Sequence, residues 1–134
     1  MELNGKALSW GIGLFMILYV VHIVLLPQLL GESAATGDNA GILYTINQAL
    51  GLGTCLIPGF IAAKKAGHHG FIHGGVVGGV STVLTALLAM IWAIVTGGKF
   101  YGLETLPFWL VINAFLGAFA GLIATNMVED PTSD

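Results

Sequence analysis

Long apolar blocks without a single charged residue, separated by short polar segments, make up most of the chain. The four blocks run from about 7 to 30, 41 to 63, 74 to 96 and 105 to 127. Each is close to the roughly 20 residues that a helix needs to cross a bilayer core. Lipid cannot hydrogen-bond a backbone, and the blocks lack the alternation of barrel strands. The sequence therefore predicts an all-α fold with four transmembrane helices in one membrane domain covering residues 1–134.

The composition supports a membrane location and excludes one class of partner. Charged residues make up only 8% of the chain and hydrophobic residues 56%, whereas a soluble domain carries about 25% charged residues. The basic residues are four lysines, too few for the basic face that nucleic-acid binding requires. The first block is longer than the roughly 7–15 apolar residues of a signal peptide, so we expect it to be retained.

The lysines predict an orientation. Lys6 precedes the first block, Lys64 and Lys65 follow the second, and Lys99 follows the third. Four crossings place the first three of these on one side of the membrane and Lys99 on the other. Because cytoplasmic loops carry the excess of basic residues, both termini are predicted to be cytoplasmic.

Small residues indicate how the helices pack. The chain contains 20 glycines, and small residues allow helix backbones to approach closely in lipid. Three GxxxG pairs stand in the third and fourth blocks: Gly74 with Gly78, Gly75 with Gly79, and Gly117 with Gly121. We expect them to pack within a compact four-helix bundle, because four helices of one chain are available. Packing against a second copy is the alternative.

Pro58 lies late in the second block and is a candidate kink. Proline removes one helical hydrogen bond and crowds the carbonyl of Thr54, one turn earlier. The kink could act as a hinge or line a pore. The alternative is a bend held in place by packing, since proline is common in membrane helices.

Polar side chains inside the blocks are candidates for function, because they are costly in lipid. At a rise of about 1.5 Å per residue, His22, Asn47 and Asn113 lie about 4–7 Å from the centres of their helices, all toward the same side. We expect them to face inward and to form one polar layer. The layer could simply join helices, at about 0.6 kcal/mol per hydrogen bond. It could also be a polar step for a small solute or a proton, with His22 as the titratable group.

The histidines do not predict a cofactor or metal. If His22 were an axial ligand of a b-type haem, a second histidine would be needed at matching depth, and His68, His69 and His73 lie at the opposite side. His69 and His73 could share a helix face and contact a divalent metal, but a site needs further ligands. No catalytic constellation is present. The chain is therefore predicted to be neither an enzyme nor a metal or cofactor protein.

A basic turn follows the second block and contains Lys64, Lys65, His68 and His69. These side chains are candidates for contact with an anionic lipid headgroup or with the acidic loop of a partner. The alternative is a solvated turn between two helices.

The central part of the sequence carries a resemblance. Residues 59–67, GFIAAKKAG, and 70–78, GFIHGGVVG, resemble a pattern in small four-span prokaryotic membrane proteins of unknown function, and residues 116–126 are also similar. The resemblance covers about half of the chain. It implies four spans and a prokaryotic cell membrane, and it carries no activity with it. The small multidrug transporters resemble the chain in size but rely on a glutamate in the first span, which is absent here.

Two functions remain open from the sequence. The first is a non-catalytic structural or accessory component of a membrane assembly, with the lipid bilayer and other membrane subunits as partners. The second is a small homo-oligomeric channel or transporter for a small solute, which would pass the layer of His22, Asn47 and Asn113.

Overall fold

Helices account for nearly all of the described part of the chain. The computed structural model describes residues 2–30, 41–98 and 102–127. Within these ranges, four helical segments are long and apolar enough to cross a membrane, which confirms the predicted all-α architecture. The elements are α1 (Gly5–Val20), a π-helical turn (Val21–Leu25), α2 (Leu26–Leu30), α3 (Ile42–Ala66), α4 (Gly70–Thr96) and α5 (Leu106–Asn126). The first three form one span, so four spans pack together.

The connection between α3 and α4 is shorter than the sequence predicts. α3 continues through both lysines to Ala66, because lysine is a good helix former and its charge is favourable near a helix C-terminus. Gly67 then turns the chain with φ 73°, and His69 follows with φ 48°. α4 therefore begins at Gly70 rather than near residue 74.

The four spans alternate in direction. The Cys55 side chain of α3 contacts Asn113 of α5, and Asn4, just before α1, contacts His73 of α4. We call the end of the bundle that holds the start of α1, the end of α3, the start of α4 and the end of α5 the terminal end. The opposite end, near Leu25 and the start of α5, is the far end.

Glycines bring α4 and α5 into backbone contact. A Cβ atom on Gly74 would lie 2.7 Å from the carbonyl carbon of Gly117, and one on Gly78 would lie 2.6 Å from that of Asn113. A Cβ on Gly59 of α3 would also lie 2.9 Å from the Cα of Gly117. Only a residue without a side chain allows such an approach. These contacts are all made within one chain.

The half of the bundle toward the terminal end is closely packed. α1 packs against α3 and α4 from one side, and α5 packs against the same two helices from the other. Ala62, His73 and Val77 are completely buried in this half. Pro58 is also buried, and α3 continues through it from Ile42 to Ala66. The predicted kink at Pro58 stays a prediction.

Candidate functional site

A cavity of about 500 Å³ occupies the half of the bundle toward the far end. Its volume lies within the roughly 300–1,000 Å³ of small-molecule sites. All four spans contribute to its wall. The described residues that line it include no Asp, Glu, Lys or Arg, and those that carry polar atoms are Tyr19, His22, Gln48, Thr54, Cys55, Thr82, Thr85, Thr105, Trp109 and Asn113.

The cavity is closed on one side and reaches the surface on another. Phe15, only 2% exposed, lines it on the side toward the terminal end. Leu52 and Trp109 also line it, and they are 54% and 51% exposed. The inner wall is formed by buried side chains such as Thr82 and Thr85. The cavity is therefore blocked toward the terminal end, and exposed side chains form the part of its wall nearest the surface of the bundle.

His22 is oriented by Asn47. Nδ1 of His22 lies 2.9 Å from Oδ1 of Asn47. An amide oxygen only accepts, so Nδ1 carries the hydrogen and donates it, and Nε2 of the neutral ring is left as an acceptor. Asn47 is 6% exposed, and it holds the His22 ring without lining the cavity itself.

The local backbone makes room for His22. The residue lies in the π-helical turn Val21–Leu25, a widened turn that often occurs at functional sites. A Cβ atom on Gly51 would lie 3.0 Å from Nε2 of His22. The absence of a side chain at Gly51 therefore allows the ring to lie against α3.

Asn113 of α5 links that helix to α3 and α4. Its Oδ1 accepts a hydrogen bond from Sγ of Cys55 at 3.1 Å, and its Nδ2 donates to Oγ1 of Thr82 at 2.9 Å. His22 and Asn113 both line the cavity. The three residues of the predicted layer thus divide into two clusters: His22 with Asn47, and Asn113 with Cys55 and Thr82.

The cavity also contains residues that the sequence analysis did not single out. Cys55 and Thr54 follow Asn47 by two helical turns, and Tyr19 precedes His22 by about one turn. Trp109 lies one turn before Asn113. The signal that could have found them is helical spacing from the predicted layer, since residues three or four apart share a face.

The basic turn lies at the opposite, terminal end. Nδ1 of His68 is 2.8 Å from the carbonyl oxygen of Ala66, and its Nε2 is 3.3 Å from that of Glu2. His69 is exposed and precedes α4. His68 therefore already has partners within the chain, and its contact with a headgroup stays a prediction.

The lysines of the same turn are exposed. Nζ of Lys65 lies 4.9 Å from the centre of the Trp10 ring, a cation–π arrangement at the terminal end. Within the described ranges, no group of three or more His, Cys, Asp and Glu side chains could hold a metal ion. The role of Lys64 and Lys65 in binding headgroups or partners stays a prediction.

No known protein family matches the chain, and neither a curated protein nor a solved structure is significantly similar to it. The resemblance to small four-span prokaryotic proteins stays a prediction. The function is therefore inferred from the cavity and its hydrogen bonds.

Proposed function

We propose that the chain is a non-catalytic multi-pass membrane protein that admits a small uncharged solute into its cavity, as a carrier or as one subunit of a homo-oligomeric channel. The observation that supports this proposal is the cavity of about 500 Å³ that reaches His22 and Asn113 without any charged residue among its described lining. An ion entering such a site would lose its hydration without gaining an opposite charge. A neutral solute would not have this penalty.

Passage across the membrane requires a second conformation. The terminal half is packed around Ala62, Val77 and His73, so the cavity does not continue through the bundle. Two points allow the helices to bend: the π-helical turn Val21–Leu25, and Pro58. Both kinds of feature are common sites of helix bending. Movement at these points would open the terminal half after the solute has bound.

We further propose that the terminal end faces the cytoplasm of a prokaryotic cell. Lys6 in the first turn of α1 and Lys64 and Lys65 in the last turn of α3 all lie at this end, and basic residues favour the cytoplasmic side. Lys99, the fourth lysine, lies outside the described residues. In this orientation the half of the bundle that holds the cavity lies toward the outside of the plasma membrane.

A structural or accessory role in a membrane assembly is the second candidate. The observation that favours it is that the polar side chains bind one another, His22 with Asn47 and Asn113 with Cys55 and Thr82. Such pairs hold helices together without any transport function. In that case a partner's side chain or a lipid chain would fill the cavity.

Solute flux distinguishes the two candidates. Proteoliposomes containing the purified chain would be exposed to gradients of urea or glycerol, and their shrinkage and swelling followed by light scattering. Ala89 lines the cavity, so Ala89→Phe should place a ring in it and obstruct it. Leu88 is 53% exposed and does not line the cavity, so Leu88→Phe is the matched control. Transport predicts flux above that of empty liposomes for the native chain and the control, and its loss in Ala89→Phe.

Two outcomes would contradict transport through the cavity. If native proteoliposomes match empty ones for each solute, and the chain copurifies in mild detergent with a second protein at fixed stoichiometry, the accessory role replaces transport. Flux that persists unchanged in Ala89→Phe would place the path outside the cavity.

A further inference from the structure

We infer that the cavity selects solutes that donate hydrogen bonds: small, neutral, mostly apolar molecules with one or two O–H or N–H groups, such as an alicyclic alcohol. This inference rests on the proposed function, because it specifies which solute the cavity takes. It follows from which hydrogen-bonding groups of the inner wall are already engaged and which remain free.

The threonine hydroxyls of the wall have already donated their hydrogens. Oγ1 of Thr54 donates to the carbonyl of Leu50 at 2.8 Å, and Oγ1 of Thr82 to that of Gly78 at 2.7 Å. Oγ1 of Thr85 donates to the carbonyl of Thr82 at 2.9 Å. A hydroxyl has one hydrogen and two lone pairs. What these side chains can still offer a solute is therefore an acceptor oxygen.

The side chains of Cys55 and His22 have also donated their hydrogens within the chain. The S–H group of Cys55 donates to Asn113, and Nδ1–H of His22 donates to Asn47. Nε2 of His22 has no hydrogen-bond partner among residues 2–30, 41–98 and 102–127 and is an acceptor. Asn113 retains one N–H group, because its Nδ2 carries two hydrogens and one is donated to Thr82. The inner wall therefore offers more acceptors than donors, its donors being this N–H group and the O–H group of Tyr19, while the N–H groups of Gln48 and Trp109 belong to exposed residues nearer the surface.

The rest of the lining favours an apolar body without charge. Phe15 and Tyr19 stack with ring centres 6.4 Å apart, and both line the cavity together with Trp109. A carboxylate would find no lysine or arginine among the described lining to balance its charge. An ammonium group would find no carboxylate among the described lining. A hydroxyl on a hydrocarbon ring can donate to an acceptor such as Nε2 of His22 and keep its ring against the apolar wall.

The test compares two molecules that differ by the donor hydrogen. Cyclohexanol carries one O–H donor, and methoxycyclohexane has the same ring and oxygen without it. Their binding to the chain in nanodiscs would be followed by the fluorescence of Trp109 in a Trp10→Phe and Trp92→Phe background. Neither of those tryptophans lines the cavity. After correction for partitioning into protein-free nanodiscs, we expect the alcohol to bind about 5–10-fold more tightly, the difference of one hydrogen bond.

Two substitutions locate the acceptors. Thr85→Val removes an acceptor oxygen from the cavity at nearly constant volume, and His22→Phe removes Nε2 while keeping a ring. Each should reduce the preference for the alcohol about threefold or more. Thr96→Val is the matched control, because Thr96 is exposed, donates to the carbonyl of Trp92 and lies outside the cavity lining. The preference of Thr96→Val for the alcohol over the ether should equal that of the native chain.

The outcomes separate this inference from the proposed function. If the ether binds the native chain as tightly as the alcohol, donor selection is overturned while the cavity remains a binding site. If the preference for the alcohol survives in both Thr85→Val and His22→Phe, neither Oγ1 of Thr85 nor Nε2 of His22 accepts the hydrogen bond of the alcohol. If neither molecule binds and no neutral solute crosses the proteoliposome, the proposed function itself fails.

Discussion

The backbone N–H of Asn4 donates to Nε2 of His73, 3.0 Å away, and so joins the start of α1 to the start of α4. Nδ1 of the same ring lies 3.1 Å from the carbonyl oxygen of His69, which only accepts. The ring is therefore neutral, with the hydrogen on Nδ1 and both nitrogens engaged. The side chain of Asn4 also accepts from the N–H of Ala7 and caps α1. His73 thus fixes the point at which the first span enters the bundle.

Replacement of His73 by alanine should be strongly destabilising. His73 is completely buried, so His73→Ala leaves a void and removes both hydrogen bonds, including the partner of the Asn4 N–H. We expect the free energy of unfolding to fall by about 2–4 kcal/mol. Unfolding in detergent micelles, followed by circular dichroism, measures it. Lys64→Ala is the control, because Lys64 is exposed at the same end of the bundle. Equal losses in the two variants would contradict this role of His73.

Relief of the left-handed backbone at His69 should have the opposite effect. A non-glycine residue at φ 48° carries a penalty of about 1–2 kcal/mol. The exposed His69 side chain makes no hydrogen bond through its ring among the described residues, so His69→Gly should raise the free energy of unfolding by up to about 1 kcal/mol. Gly67→Ala introduces a side chain at φ 73° and should lower it by a similar amount. The same micelle assay compares both variants, and a loss of stability in His69→Gly would refute the strain.

The level of the polar side chains could be predicted from the sequence, but their partners could not. Counting residues from helix centres placed His22 and Asn47 at one level, and the structure has them 2.9 Å apart. The count gives depth along a helix and nothing about rotation around it. In helices that are apolar on all sides, no polar face indicates which side is inward. For this reason the sequence does not predict that Cys55 and Thr82 are the partners of Asn113.

The cavity itself has no local signal in the sequence. It lies where four spans leave space between them, and that spacing depends on the rotation of each helix and on the π-helical turn Val21–Leu25. The turn itself contains no glycine or proline, but Pro27 follows it by two residues and has no N–H to pair with the carbonyl of Ile23. That proline indicates an irregularity without indicating a cavity. The glycine pairs, in contrast, are visible in the sequence as candidates for close packing. What the sequence leaves open is which of two adjacent pairs makes backbone contact.

Adjacent glycines of α4 should therefore differ sharply in their tolerance of alanine. A Cβ on Gly74 would lie 2.7 Å from the carbonyl carbon of Gly117, a backbone atom that cannot move alone. A Cβ on Gly75 would lie 3.4 Å from that of Ala118, close to ordinary contact. We expect Gly74→Ala to lower the free energy of unfolding by about 2 kcal/mol or more, as overpacking does. Gly75→Ala should leave it unchanged or raise it by up to about 1 kcal/mol, the gain of alanine over glycine in a helix interior.

The measurement for this pair is again unfolding in micelles. Gly75→Ala controls for the general effect of replacing glycine by alanine in α4, which is favourable in a helix interior by about 1 kcal/mol in water. If both substitutions are tolerated equally, α4 and α5 do not approach as closely as the structure has them.

Removal of the Ser81 hydroxyl should not destabilise the protein and should favour the folded state. The residue is completely buried, and its Oγ has no hydrogen-bond partner within the described ranges. An unpaired buried polar group costs about 1–3 kcal/mol. Ser81→Ala removes that cost with little change of volume. We expect the variant to be at least as stable as the native chain, and up to about 1 kcal/mol more stable.

Thr82, the next residue after Ser81, provides the matched comparison. Oγ1 of Thr82 donates to the carbonyl of Gly78 and accepts from Asn113, so Thr82→Ala leaves the amide of Asn113 without its partner. The free energy of unfolding should fall by about 1–3 kcal/mol. Two adjacent hydroxyls of one helix should thus give opposite signs in the same assay. A clear loss of stability in Ser81→Ala would mean that its hydroxyl binds a buried water or another group, and that the core around α4 is more polar than the described side chains indicate.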